Sequence, residues 1–230
     1  MNIVYMYAAA LLPAIILLVY IYRKDPNKEP LSAMLKAVLW GIAICIPVAS
    51  VEFMINSYLF GPNMEPTTLF GTTAKAFLVA AMPEEAAKLL VLWIVLRKNP
   101  YFDEHFDGIV YAVCVGLGFA AVENIFYVVG QPDWQSIAIS RALLAVPGHY
   151  AFAIMMGYYY SVNHFIEPSV RNALKIFFVP FMAHGIYDAL AMSGSVNPLV
   201  GGISFLGLIY FCVKMQKHAQ SRVLELSIRH

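Results

Sequence analysis

The chain has 230 residues, 60% hydrophobic and only 13% charged, with a net charge of +1 and a mean hydropathy of +0.68. Soluble domains carry about a quarter charged residues, so an ordinary soluble fold is excluded and an all-α polytopic membrane protein is expected. No basic stripe survives once the lysines and arginines are assigned to membrane-flanking loops, which leaves no nucleic-acid partner.

Seven apolar segments follow in order, over 3–22, 31–59, 72–96, 109–130, 137–162, 172–192 and 199–213, near the roughly 20 residues that one bilayer crossing needs. The first has no cation before it and no small-residue cleavage site, so it reads as an uncleaved span rather than a signal peptide. Asp25-Pro26-Asn27, Gly61-Pro62-Asn63, Lys98-Asn99-Pro100, Gln131-Pro132-Asp133, Glu167-Pro168-Ser169 and Ser195-Val196-Asn197-Pro198 separate the segments with turn chemistry. Pro47 inside the long second segment predicts a kink or tilt. One domain spanning 1–230 is expected, with 214–230 as a cytoplasmic tail and no internal repeat. Cys45, Cys114 and Cys212 fall in apolar runs, odd in number and without CxxC spacing, which argues against disulfides or a zinc site.

The cations set the orientation. Arg23, Lys24, Lys28 and Lys36 flank the first loop, Arg97 and Lys98 the third, Arg171 and Lys175 the fifth, and Lys214, Lys217, Arg222 and Arg229 lie in the tail. The loops near 60–71, 131–136 and 193–198 hold no Lys or Arg. The positive-inside rule then puts the odd loops and the C-terminus in the cytoplasm and the N-terminus outside.

The third segment carries Glu84, Glu85 and Lys88. A charge at a helix centre costs about 2.5–3.5 kcal/mol on insertion scales, so the three must face protein, water or one another. Glu84 and Lys88 stand at i, i+4 in the favourable order for an ion pair. Glu85 points about 100° away and is expected to face elsewhere. Which glutamate Lys88 holds, and which faces a cavity, the spacing leaves open. Glu123 and Asn124 come slightly past halfway in the fourth span, where Gly116 and Gly118 admit a neighbouring helix and Phe119 shares the face of Glu123. Pro147-Gly148-His149 predicts a kink or unwinding at the imidazole of the fifth span. His184 and Asp188 again stand at i, i+4 in the sixth. Four helices thus bring ionisable groups to one depth near the midplane, displaced outward. Glu52 and Arg141 are expected at the outer interface, and His105, His164, His218 and His230 in loops or the tail.

No HExxH, GxSxG, Ser/Lys pair or P-loop is present. Carboxylates and imidazoles without a covalent nucleophile suit general-base activation of a water attacking a carbonyl, with imidazole or amide donors stabilising the oxyanion. No cofactor is required, although the same side chains suit a divalent metal. A rival of another class is an ion- or proton-coupled transporter, which also gathers acids and His at the midplane. It predicts paired broken helices in two related halves. A non-catalytic scaffold binding partner helices is a third.

The ordered set Asp25-Pro26-Asn27-Lys28-Glu29-Pro30, Glu84-Glu85-Ala86-Ala87-Lys88, Phe102-Asp103-Glu104-His105-Phe106-Asp107-Gly108-Ile109-Val110-Tyr111, Leu117-Gly118-Phe119-Ala120-Ala121-Val122-Glu123-Asn124, Arg141-Ala142-Leu143-Leu144 and His184-Gly185-Ile186-Tyr187-Asp188 resembles the PrsW-type intramembrane proteases, a glutamic branch of the superfamily that includes CAAX prenyl endopeptidases. The resemblance implies a multi-pass enzyme of the bacterial inner membrane that cleaves a single-span membrane protein. Typically this is an anti-sigma factor, cut on its extracytoplasmic side at the first step of a stress cascade. Carried over by motif, the paired glutamates are Glu84 and Glu85, the FxxxE element Phe119 and Glu123, and the HxxxD element His184 and Asp188. In the CAAX relatives a glutamate and a histidine activate water, while a histidine and an asparagine form the oxyanion site. Here Glu123 stands where those relatives have a histidine, which makes His149 the candidate partner, and Asp188 replaces their asparagine and can donate only when protonated. Glu84, Glu85, Glu123, His149, His184 and Asp188 are therefore the expected catalytic set, with Phe119 and Asn124 toward substrate and Lys88 structural.

Overall fold

The computed structural model describes residues 3–62 and 64–228; Asn63 of the second loop, Arg229 and His230 lie outside the described residues. Seven helices run through them: α1 (Ile3–Lys24), α2 (Leu31–Leu59), α3 (69–96), α4 (Asp107–Val128), α5 (134–166), α6 (Val170–Met192) and α7 (Pro198–Ser227). Short polar side chains start several of them. Thr68 Oγ1 accepts from the Gly71 N–H, Ser169 Oγ from Asn172 and Asn197 Oδ1 from Val200, each answering one of the orphan donors of a first turn.

Six of these helices, all except α3, are long and apolar enough to cross a membrane. The exception has the length, but Glu84, Glu85 and Lys88 break its apolar run. It stays at that depth because those charges are spent on one another and on neighbouring helices, as described below. The protein is all-α, and no strand occurs among the described residues.

The core is α4. Every residue from Asp107 to Ala120 is buried, as a helix apolar on all sides requires. It packs against α1, α2 and α5, while α6 packs on α5 and on the middle of α3. Glycines set how closely the backbones approach. A Cβ on Gly41 of α2 would stand 2.1 Å from the Val115 carbonyl oxygen of α4, and one on Gly157 of α5 would stand 2.3 Å from that of Gly108. Small residues are how helices meet in lipid, where no hydrophobic drive holds them together. Leu12, Ile16, Leu35, Leu39, Leu199 and Leu206 point outward from α1, α2 and α7, forming the surface a bilayer solvates.

Two helices widen where proline would otherwise collide with the preceding turn. In α3 residues Lys75–Ala81 form π turns immediately before Pro83, and in α5 Arg141–Ala145 do so before Pro147. A proline removes one N–H and crowds the carbonyl four residues back; a π turn gives that carbonyl room without breaking the helix. The backbone is therefore regular α-helix at His149 itself. This corrects the expected unwinding there: the irregularity falls one turn earlier. Helix α2 likewise runs unbroken through Pro47. The last helix continues past 213 to Ser227, with Met215, Ala219, Val223 and Leu226 buried, so most of the expected tail is helix packed on the protein.

Candidate active site

The paired glutamates follow Pro83 directly, so the widened turn of α3 fixes their direction. Lys88 Nζ stands 2.8 Å from Glu84 Oε2, 2.9 Å from Glu85 Oε1 and 3.2 Å from His149 Nδ1. An ammonium has three donors, and all three are used. This corrects the expectation that Lys88 serves one carboxylate only: at i+3 and i+4 its flexible stem spans the angle between them. The ring of Phe119 underlies the ammonium, 4.4 Å from centroid to nitrogen, adding a cation–π contact.

His149 is held at both nitrogens. Because the ammonium cannot accept, Nδ1 bears the lone pair and Nε2–H donates to Glu123 Oε2 at 2.7 Å. Arg141 Nη2 lies 2.9 Å from the same oxygen, and the guanidinium stacks 4.2 Å over Tyr127. His184 sits between carboxylates, Nδ1 2.9 Å from Glu85 Oε1 and Nε2 3.2 Å from Asp188 Oδ2. Its ring stacks on Phe152 at 4.7 Å and meets His149 edge-on at 5.3 Å. On its other side Gly185 leaves the room that the Phe77 ring of the widened α3 turn fills.

These groups face a cavity of about 490 Å³ lined by residues of α2 to α7, including Glu52, Glu84, Phe119, Glu123, Arg141, His149, His184 and Asp188. Glu85 is not in its wall and is fully buried, so the two adjacent glutamates have different surroundings. Glu84, Glu85, Glu123, His149, His184 and Asp188 thus come together, with Phe119 beside them. Asn124, expected toward substrate, is turned away: its amide donates to the Ala10 carbonyl at 3.0 Å and its oxygen accepts from Arg141 Nε at 2.5 Å.

Two charged cavity residues escaped the sequence. Arg141, expected at the interface, is drawn inward by Glu123 and Asn124, and Glu52 belongs to the cavity wall. The signal for Arg141 lay in its position eight residues before His149, two turns up the same helix and over the same face. For Glu52 it lay in Cys45 and Ala49, small residues on its helix face.

The arrangement also has the grammar of a metal centre. Glu84, His149 and His184 offer ligand atoms within 4.8 Å of one another, and each imidazole carries a carboxylate on Nε2, the outer partner that commonly orients a metal-binding histidine.

The profile of the PrsW family of intramembrane metalloproteases matches residues 29–215. The chain is 34% identical to Protease PrsW of Geobacillus kaustophilus over 93% of its length and 91% of that relative's. It is 34% identical to Protease PrsW of Oceanobacillus iheyensis over 84% and 86% of the two chains, and 31% identical to Protease PrsW of Bacillus subtilis over 93% and 95%. No solved structure matches the chain.

Proposed function

The chain belongs to the PrsW family, a multi-pass peptidase of the bacterial inner membrane, and from that premise we propose that Glu84 activates a water which hydrolyses a peptide bond of a single-span membrane protein. One observation carries the choice of base: of the adjacent glutamates, Glu84 alone lines the cavity. Glu84 takes a proton from water as the oxygen attacks the scissile carbonyl, then returns it to the departing amine. Glu85, beneath, fixes Lys88 and the Nδ1 side of His184. As the oxyanion forms, His184 keeps Nε2 on Asp188 and passes its Nδ1–H from Glu85 to the new charge. His149, held at both nitrogens by Lys88 and Glu123, forms the wall beside the attacking water. The substrate is of the anti-sigma-factor kind, cut on the extracytoplasmic side toward which the cluster is displaced when the N-terminus is outside.

Glu84, His149 and His184 are the residues that would hold a divalent metal, and their chemistry fits one. His184 faces carboxylate oxygens at both nitrogens, an arrangement that a doubly protonated ring, or a neutral ring beside a bound cation, would satisfy. Such an ion would supply Lewis acidity toward the carbonyl and a lowered pKa for bound water.

The test is Glu84→Gln against a co-expressed single-span reporter. Loss of cleavage by about 10²–10⁴-fold, the usual worth of a positioned acid–base group, is expected with full insertion; wild-type cleavage rates would remove Glu84 from the mechanism.

A further inference from the structure

Four carboxylates line the cavity: Glu52, Glu84, Glu123 and Asp188. Three are engaged, Glu84 with Lys88, Glu123 with His149 and Arg141, and Asp188 with His184. Glu52 is different. Its Oε1 is shut off from the surface and meets no donor. Arg141, the guanidinium in the wall, is committed to Glu123 and Asn124.

We propose that Glu52 selects the substrate side chain beside the scissile bond, and that the side chain it takes is a lysine or an arginine. Cys45 and Ala49 stand on the same face of α2 at i−7 and i−3, and both line the cavity. They are small, so they leave a track along α2 for an aliphatic stem, and the track ends at the unmatched carboxylate. A peptide N–H also donates, but it brings no charge. Glu84, Glu123 and Asp188 already have cationic or imidazole partners, so at Glu52 a cation brought by the substrate gains more than a neutral donor, because low-dielectric surroundings strengthen both attraction and the cost of leaving the acid unmatched.

This inference rests on the peptidase reading, and its test keeps the two apart. Purified protease in lipid nanodiscs is given single-span reporters that differ at one position, scanned through the cleavable region, with Lys, Met or Glu there. Wild type is expected to cut the best Lys reporter at least tenfold faster than its Met counterpart, about 1.4 kcal/mol in kcat/KM. In Glu52→Gln the Lys-to-Met ratio should fall to near one whatever the absolute rate, and Glu52→Lys should favour the Glu reporter. Cleavage by wild type without charge preference, or a Lys preference that persists in Glu52→Gln, overturns the role of Glu52 while leaving hydrolysis intact. No cleavage of any reporter by wild type strikes the proposed hydrolysis, and this inference with it.

Discussion

Replacing Lys88 by Met preserves the length of the stem and deletes its charge, so it isolates what the ammonium does. The side chains of Lys88, Glu84 and Glu85 are 5%, 6% and 1% exposed, so water cannot take over the lost contacts. Deleting one partner of a buried ion pair costs about 3–5 kcal/mol, because the survivor is left as an uncompensated charge. Here one cation answers two adjacent carboxylates and fixes the imidazole of His149, so the upper end of that range is expected. This is a large fraction of the 5–15 kcal/mol typical of folded domains. The measurement is reversible unfolding of purified protein in mixed micelles, with cleavage of a reporter in parallel. Lys88→Met should unfold far more easily and lose activity. Adding Glu85→Gln should recover part of the stability, since it removes one stranded charge, without restoring cleavage. Lys88→Arg should fail as well, a planar fork being unable to divide three donors among these acceptors. A Lys88→Met protein within about 1 kcal/mol of wild type would refute the shared-donor reasoning, since even one buried pair should exceed that.

A divalent ion held by Glu84, His149 and His184 would make cleavage sensitive to exhaustive dialysis against EDTA and recoverable with Zn²⁺, with a Co²⁺ absorption band lost in both His149→Ala and His184→Ala; full activity after chelation would exclude a metal role. Gly41→Ala sets a methyl 2.1 Å from the Val115 carbonyl oxygen, whereas the same change at Gly207 meets only a flexible Leu190 methyl at 3.5 Å. The first should lower stability by about 1–3 kcal/mol and the second leave it unchanged, and equal thermal midpoints would contradict the close α2–α4 packing. Burial raises the carboxyl of Glu29, in the first loop, above its ordinary 4.5. The folded state then holds that proton more tightly than the unfolded chain, so the contribution of Glu29 is full below 4.5 and is lost as pH rises through its folded value. Glu29→Gln, which still accepts from Tyr111, should flatten stability against pH just above 4.5, and an unaltered profile would remove the effect.

Much of this architecture is legible in the residues because a bilayer punishes unpaired charge. An apolar run interrupted by Glu84, Glu85 and Lys88 has no stable place except against partners at the same depth, and the i, i+4 spacing of His184 and Asp188 or of Phe119 and Glu123 names the faces those partners present. Helix order, the common level of the acids and imidazoles, and the membership of the cluster follow from that. What periodicity does not carry is how far a long side chain reaches. An angle of 100° between Glu84 and Glu85 separates their Cβ directions, yet the four-carbon stem of Lys88 closes it. Arg141 likewise leaves the interface because its guanidinium travels inward along α5 to Glu123.

The two prolines show where local reasoning stops for a different physical cause. A proline inside a helix demands relief, but relief can come as a kink, a break or a widened turn, and the choice depends on what packs alongside. In α3 the π turn holds Phe77 where it meets Gly185 of α6, and in α5 it ends directly before Val146, which is fully buried against the core. Both widenings lie just ahead of a functional side chain, Glu84 in one helix and His149 in the other. A π turn rotates everything after it relative to a regular helix, so the residues that follow are aimed by the same event that accommodates the ring. Pro83 and Pro147 therefore act as aiming devices: replacing either by Ala removes the reason for the wide turn, and with it the direction in which Glu84 or His149 meets Lys88.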